Sequence, residues 1–230
     1  LVRFAGGGFG TTIYVPRLLY MIRCGSICEH TVFHGASLGS CWAVVATVLS
    51  GNTETVSYAE RWRVAKRVMG VLMRYIEAPH CDWTGSRGQA AYFMERAIRE
   101  IPPEFLPDIA TRVHMSLTMV RPAFPPLVNK MYTGFVDMDD LVTIYTASMY
   151  IAGWTEPTGI LYWLGSTPCI DGGWTDNCVE CDPTFIGTQY VMKNERSPEM
   201  LGRAFYPEPT THSVRDSNTA MEGIWLDFNR

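Results

Sequence analysis

Residues 1 to 5 (LVRFA) form a short apolar run that breaks into glycines at positions 6, 7, 8 and 10, the pattern of a buried strand entering a tight loop. Apolar positions then recur at helical spacing through RLLYMIRCG, predicting a helix stopped at Gly25, with Pro16 tolerated in its first turn. HTVFHGAS, residues 30–37, reads as a second strand. It leads into LGSCWAVVATVLS, an almost uninterrupted apolar helix closed by Gly51. Strand, glycine loop, helix, strand and helix in this order predict a parallel βαβ unit with a right-handed crossover.

From 53 to 77 the pattern is amphipathic. Trp62, Ala65, Met69, Leu72 and Ile76 share one helical face, Arg61, Arg63, Lys66, Arg67 and Arg74 load the remainder, and Ser57-x-x-Glu60 offers a capping box. Such a basic face is either a solvated surface or a contact for anionic lipid headgroups. QAAYFMERAIREI predicts a helix ended by Pro102-Pro103. Val113, Met115, Leu117 and Met119 alternate, predicting a strand over 112–120 that RPAFPP turns toward a partner around 127–135. Asp137 caps a helix over 138–150, and GILYWLG, PCIDGG and FIGTQYVMK are short strands before a closing helix over 212–228. With no repeat or linker, residues 1–230 are expected to form a single domain.

Composition narrows the class. Hydrophobic residues make up 47% and charged ones 18%, enough apolar material for a core. A net charge of −4 and a pI near 5.7 lack the basic footprint of a nucleic-acid binder. Seven cysteines, an odd number, do not suit a disulfide framework and are expected reduced, which favours the cytoplasm. No apolar run reaches the roughly 18 to 20 residues of a spanning helix. The chain enters on an apolar strand at Leu1 rather than Met, as expected of a domain cut from a longer protein.

The chemistry concentrates around Gly35-Ala36-Ser37-Leu38-Gly39, a G-x-S-x-G pattern that can hold a serine on a sharp strand-to-helix turn. Only 36 residues precede Ser37, so the glycine loop and the serine fall at the carboxyl ends of neighbouring parallel strands, where open α/β sheets build sites. Gly6, Gly7 and Gly8 bring backbone N–H groups toward a carbonyl attacked by Ser37, and the N–H of Leu38 opens the helix beside them. A serine nucleophile needs a base. None of the histidines (30, 34, 80, 114 and 212) has surroundings that nominate it. His34 should point away from the pocket, and only His212 follows Ser37 and Asp171 in the chain order of an α/β-hydrolase triad. Asp171 ends an apolar strand, and Gly172-Gly173 after it permit a tight turn beside a ligand.

Other motifs carry less. Gly6-x-Gly8-x-x-Thr11 lacks the third glycine of a dinucleotide fingerprint. Cys178-x-x-Cys181 lacks a second ligand pair, and Asp137, Asp139 and Asp140 read as a helix start rather than a calcium loop. Asp176 and Asn177 are expected to brace the Asp171 turn. No metal ligand set is assigned.

Taken in order, FAGGGFG, GASLG and IDGGWTDN resemble the patatin-like phospholipase family: a glycine-rich oxyanion loop, a serine elbow and an Asp-Gly-Gly motif. FAGGGF, ASMYIAG and FYPEP are most similar to its animal-type branch, the one that includes adipose triglyceride lipase and adiponutrin. The resemblance implies a three-layer α/β/α sandwich with a mainly parallel central sheet. It also implies a Ser37–Asp171 dyad without histidine, an oxyanion loop of Gly6, Gly7 and Gly8 joined by Leu38, and supporting turns at Gly35, Gly39, Gly172 and Gly173. Hydrolysis of acyl esters of triacylglycerol or phospholipid is then the expected activity, without a cofactor. It would take place peripherally at a membrane or lipid-droplet surface, with a protein co-activator as a further allowed partner. The chain departs from the family pattern at Thr11, where a second glycine is usual, at Pro16 and at Val179. Thr11 keeps open a second reading, a lipid-binding or regulatory protein on the same scaffold.

Overall fold

A computed structural model of the chain describes residues 1–7, 11, 14–77, 90–152, 155, 161–177, 188 and 190–192. Strand β1 (Val2–Phe4) and helix α1 (Tyr14–Arg23) lead to β2 (Phe33–Ala36) and α2 (Gly39–Ser50). β1 and β2 pair in parallel with Phe4 opposite Gly35, the pairing expected of the βαβ pattern. α2 is buried along its whole length, which is why its sequence shows no polar stripe.

α3 (Tyr58–Glu77) begins at the expected serine, whose Oγ accepts from the Glu60 N–H at 3.3 Å. One assignment on this helix needs correction. Arg61, expected on the charged face, is only 1% exposed. Its guanidinium donates to the carbonyls of Val48 (3.0 Å), Asn52 (2.7 Å) and Val56 (3.1 Å), closing the end of α2 whose last carbonyls have no intrahelical donor. Of the remaining basic residues, Arg63 pairs with Glu60 and Arg67 with Glu100.

α4 (Ala90–Arg99) precedes α5 (Leu106–Arg112), a helix that the sequence reading did not include. Pro103 opens a single 3-10 turn and Pro107 lies in the first turn of α5, where a missing N–H costs nothing. β3 (Val113–Val120) and β4 (Leu127–Tyr132) form the expected antiparallel pair. Asp137 caps α6 (Met138–Ser148) by accepting from the Asp140 N–H at 2.7 Å. β5 (Tyr162–Leu164), β6 (Thr167–Asp171) and β7 (Tyr190–Met192) complete the described elements.

The sheet runs β5-β6-β3-β2-β1-β7, with β4 also on β3. Three pairings are parallel (β1 with β2, β1 with β7, β2 with β3) and three antiparallel, so the sheet is mixed. α2 packs on β1, β2 and β3, and α6 packs on β3, β5 and β6. The two helices touch through Ser40 Oγ and Ser148 Oγ at 2.9 Å. The core between them and the sheet contains Phe4, Phe33, Trp42, Val113, Met115 and Leu117. Among the described cysteines, Cys41 and Cys169 are buried and Cys24 and Cys28 exposed, and all four are free thiols. The closing helix, His80, His212, Cys178-x-x-Cys181, Val179 and Gly8 lie outside the described residues.

Candidate active site

Register brings the two candidate residues together. β4 occupies one edge of β3 from Met115 to Val120, which leaves the opposite edge to be shared by β2 and β6. β2 ends with Ala36 opposite Ser116, and β6, running the other way, ends with Asp171 opposite Leu117. The two strands therefore meet head to head on neighbouring rungs, so that Ser37 and Asp171 arrive from opposite directions at one point.

Ser37 has φ 53°, in the left-handed region, and is the one non-glycine residue with positive φ among those described. This conformation costs a non-glycine residue about 1–2 kcal/mol. It is the strained turn from strand to helix that aims a side chain out of the sheet. Close approach of backbone enforces glycine around it. A Cβ on Gly6 would lie 2.7 Å from the Ser37 Cβ, one on Gly39 would overlap the Phe4 carbonyl, and one on Gly172 would overlap the Ser116 carbonyl. Gly35 is pressed against the start of α2, and Gly173 against Asp171 Oδ1.

Asp171 is 5% exposed. Its Oδ1 accepts from the Gly173 N–H at 2.7 Å, whereas Oδ2 has no partner of normal hydrogen-bond geometry. Burial pushes the carboxyl up to about 6, and the nearby Ser37 hydroxyl and the Gly173 N–H oppose that rise. No cation figures among these influences. Arg3, the buried cation of β1, pairs with Asp176 at 3.0 Å.

The oxyanion candidates separate. Gly6 donates its N–H to Asn177 Oδ1 at 2.6 Å and is committed. Gly7 is exposed, and neither its N–H nor that of Leu38 has an acceptor among the described residues. Leu38 stands at the N-cap of α2, where the helix dipole favours negative charge. Thr11 is fully buried and accepts from Trp42 Nε1 at 2.7 Å, a structural contact that explains a threonine at that position. His34 stacks on His114, centroids 4.7 Å apart, and His30 is exposed beside Glu29.

A polar network under the site was not anticipated. Ser148 Oγ donates to the Ser116 carbonyl at 2.7 Å, and Asn129 Nδ2 donates to Ser116 Oγ at 2.5 Å. Thr118 and Thr175 share a hydrogen bond at 2.8 Å. Asp176 and Asn177 brace as expected, but they tie the Asp171 turn to β1 and its glycine loop as well as to itself. An apolar strand interrupted by Ser116 and Thr118 was the available signal. Among the described residues no cluster of three or more potential metal ligands occurs, and no helix is long and apolar enough to cross a membrane.

Compared with known proteins, the chain matches no family model and no curated protein.

Proposed function

We propose that the protein is a serine acyl hydrolase that cleaves fatty-acyl esters of lipids through Ser37 and Asp171. One observation carries the proposal: a serine in a strained left-handed turn beside a buried aspartate whose Oδ2 makes no hydrogen bond of normal geometry. Structural residues relieve such costs, and functional ones retain them.

In this reading Ser37 Oγ attacks the ester carbonyl carbon while its proton passes to Asp171 Oδ2. The carbonyl oxygen gains the negative charge, facing the N–H groups of Gly7 and Leu38. Collapse of the tetrahedral intermediate breaks the bond to the alcohol oxygen, which takes the proton from Asp171. Water then adds to the acyl-serine with Asp171 as base, and release of the fatty acid returns the proton to Ser37. Gly6 holds the loop through Asn177 and allows the close approach. The chemistry as proposed needs no metal or cofactor.

The scaffold we assign is the three-layer α/β/α sandwich; its described part is a mixed sheet with α2 and α6 packed on it. The protein is taken to act peripherally at a membrane or lipid-droplet surface in the cytoplasm. The second reading is a non-catalytic lipid-binding or regulatory protein on the same scaffold; Thr11, which kept it open, holds Trp42 Nε1 at 2.7 Å.

The test is turnover of a short-chain chromogenic ester by wild type, Ser37→Ala, Asp171→Asn and His212→Ala. The dyad requires loss in the first two variants and full activity in the third. Loss in His212→Ala as well would establish a triad, and a folded but inactive wild type would sink the hydrolase reading.

A further inference from the structure

The end of the sheet that holds Ser37 does not stop there. β3 continues four residues past the rung of Ala36, roughly 13 Å at strand rise. Both hairpins built on it turn at that far end. The β3–β4 connection, residues 121–126, follows Val120, and the β5–β6 turn at Gly165 lies between Leu164 and Thr167. Two antiparallel hairpins thus project beyond the candidate active site in the same direction.

Their tips are apolar and open to solvent. Phe124 is 95% exposed and Trp163 61%, and Leu127 is also exposed. Leu127 pairs with Val120, and Trp163 pairs with Pro168. Met119 pairs with Cys169, so the next rung sets Val120 beside Pro168. Leu127, Val120, Pro168 and Trp163 therefore form one continuous row across four strands, on one face of the sheet. The rung before it, on the other face, is buried at Met119 and Cys169. A row of this kind with one open face, next to a protruding phenylalanine, marks an interaction surface rather than a misplaced core.

Charge selects the occupant. The chain carries 23 acidic residues, yet none falls within 113–132 or 161–170. The cations there are Arg121 at the base of the tip and Lys130 on β4, both exposed. Exposed aromatic side chains with Arg121 at the tip and no carboxylate on their own strands fit the interfacial zone of a lipid surface, where rings sit at headgroup level and cations meet phosphate. Lys130 lies on the other face, and Glu95 and Asp139 stand on that other side beside Tyr162. The basic face of α3 fits less well, because Arg61 is buried and Arg63 and Arg67 are engaged by glutamates.

We infer that the β3–β4 and β5–β6 hairpin tips, through Phe124, Leu127 and Trp163, dock the protein onto a lipid surface that includes anionic headgroups. This choice of partner rests on the acyl-hydrolase reading. It places Ser37 and Asp171 one short strand overhang from the interface.

The experiment is co-flotation of the full chain with phosphatidylcholine vesicles containing phosphatidylserine, alongside turnover of the soluble ester. Phe124→Ser combined with Trp163→Ser should lower vesicle partitioning about tenfold or more, since each substitution removes a large apolar group from the contact. Turnover of the soluble ester should remain at the wild-type level. Phe124→Ser alone, at a side chain that touches almost nothing, should produce part of the loss without any bearing on folding. Wild-type protein that does not float, or a double variant that floats as wild type does, would overturn the inference. So would release caused by Arg63→Glu with Lys66→Glu instead, which would place the contact on α3. Protein that docks through the tips but cleaves no ester would refute the hydrolase reading and leave the docking surface standing.

Discussion

Replacing Asp171 by asparagine should stabilise the protein while destroying the proposed activity, and the stabilisation should depend on pH. Asparagine keeps the shape of the side chain. Its Oδ1 can still accept from the Gly173 N–H, and Nδ2 takes the place of an oxygen that makes no hydrogen bond of normal geometry, with the Ser37 hydroxyl nearby able to accept from it. What disappears is a buried charge. Carried from 3.8 to about 6 by burial, the carboxyl is harder to ionise in the folded state than in the unfolded one. At about 1.4 kcal/mol per pH unit this corresponds to about 3 kcal/mol. The sign follows from proton linkage. The raised pKa makes no difference where both states are protonated, below about pH 4, and its cost to the folded state grows until it is complete above about pH 7. Asp171→Asn should therefore match wild type near pH 4 and exceed it by up to about 3 kcal/mol near pH 8. At roughly 2–4 °C per kcal/mol for a chain of this size, thermal unfolding followed by circular dichroism should show a gain of roughly 6–12 °C. A variant less stable than wild type near pH 8, or a gain that does not change with pH, would show that the carboxylate is not held at a cost.

Four further outcomes follow from the same geometry. The kcat/KM of the wild type on a neutral ester should rise with pH through an apparent pKa of about 6 and level off above it, because only the ionised carboxylate accepts the serine proton; a flat profile in a pH–rate series would exclude Asp171 as the base. Gly39→Ala would drive a methyl into the Phe4 carbonyl at the root of the elbow and should leave little soluble folded protein. Gly25→Ala, at φ 74° with open space around it, should cost only about 1–2 kcal/mol in a denaturant titration. Arg61→Ala leaves the Val48, Asn52 and Val56 carbonyls without their donor and should cost about 3 kcal/mol or more by the same titration, against near-neutrality for Arg63→Ala.

The first half of the fold was legible because its local signals agree. The apolar run, the glycine loop and the second strand specify one supersecondary unit, and the uniform apolarity of α2 follows from burial on every side. Caps at Ser57 and Asp137 were legible for the same reason, since each acts within a few residues of itself. What escaped depends on partners remote in sequence. Arg61 sits on a charged stripe, and its burial is set by the end of α2 rather than by its own helix. Proline normally ends a helix, so the cluster at 102, 103 and 107 concealed α5, which it initiates. The antiparallel direction of β6 could not be read from its five residues, because a short strand carries no mark of which way its neighbour runs. The juxtaposition of Ser37 and Asp171 was nonetheless legible, since the glycines that crowd them are visible in the sequence. Asn177 was expected to brace the turn but not to reach Gly6, and Ser116, which bonds the Gly172 carbonyl, was not anticipated.

The distribution of costs within the site argues for function more strongly than the motifs do. Arg3 and Arg112 are buried cations, and each has a carboxylate beside it, Asp176 and Asp108 respectively. Ser40, Ser116 and Ser148 are buried hydroxyls that satisfy one another. Asp171 Oδ2 is not alone, since the buried Arg112 Nη1 also lacks a hydrogen-bond partner, but a second cation or an amide at the rung of Leu117 would have satisfied Asp171. Instead Oδ2 is left open at the same point where Ser37 accepts an unfavourable φ. A cation beside Asp171 would have stabilised the carboxylate and made it a poorer base, so pairing Arg3 with Asp176 preserves the basicity that burial creates. Two adjacent residues each hold a cost that a single substitution would remove, asparagine at 171 and glycine at 37. If those substitutions raise stability and abolish turnover together, the strain and the unpaired oxygen belong to the reaction. If either raises stability and leaves turnover intact, that residue is a defect of the fold and the nucleophile or base lies elsewhere.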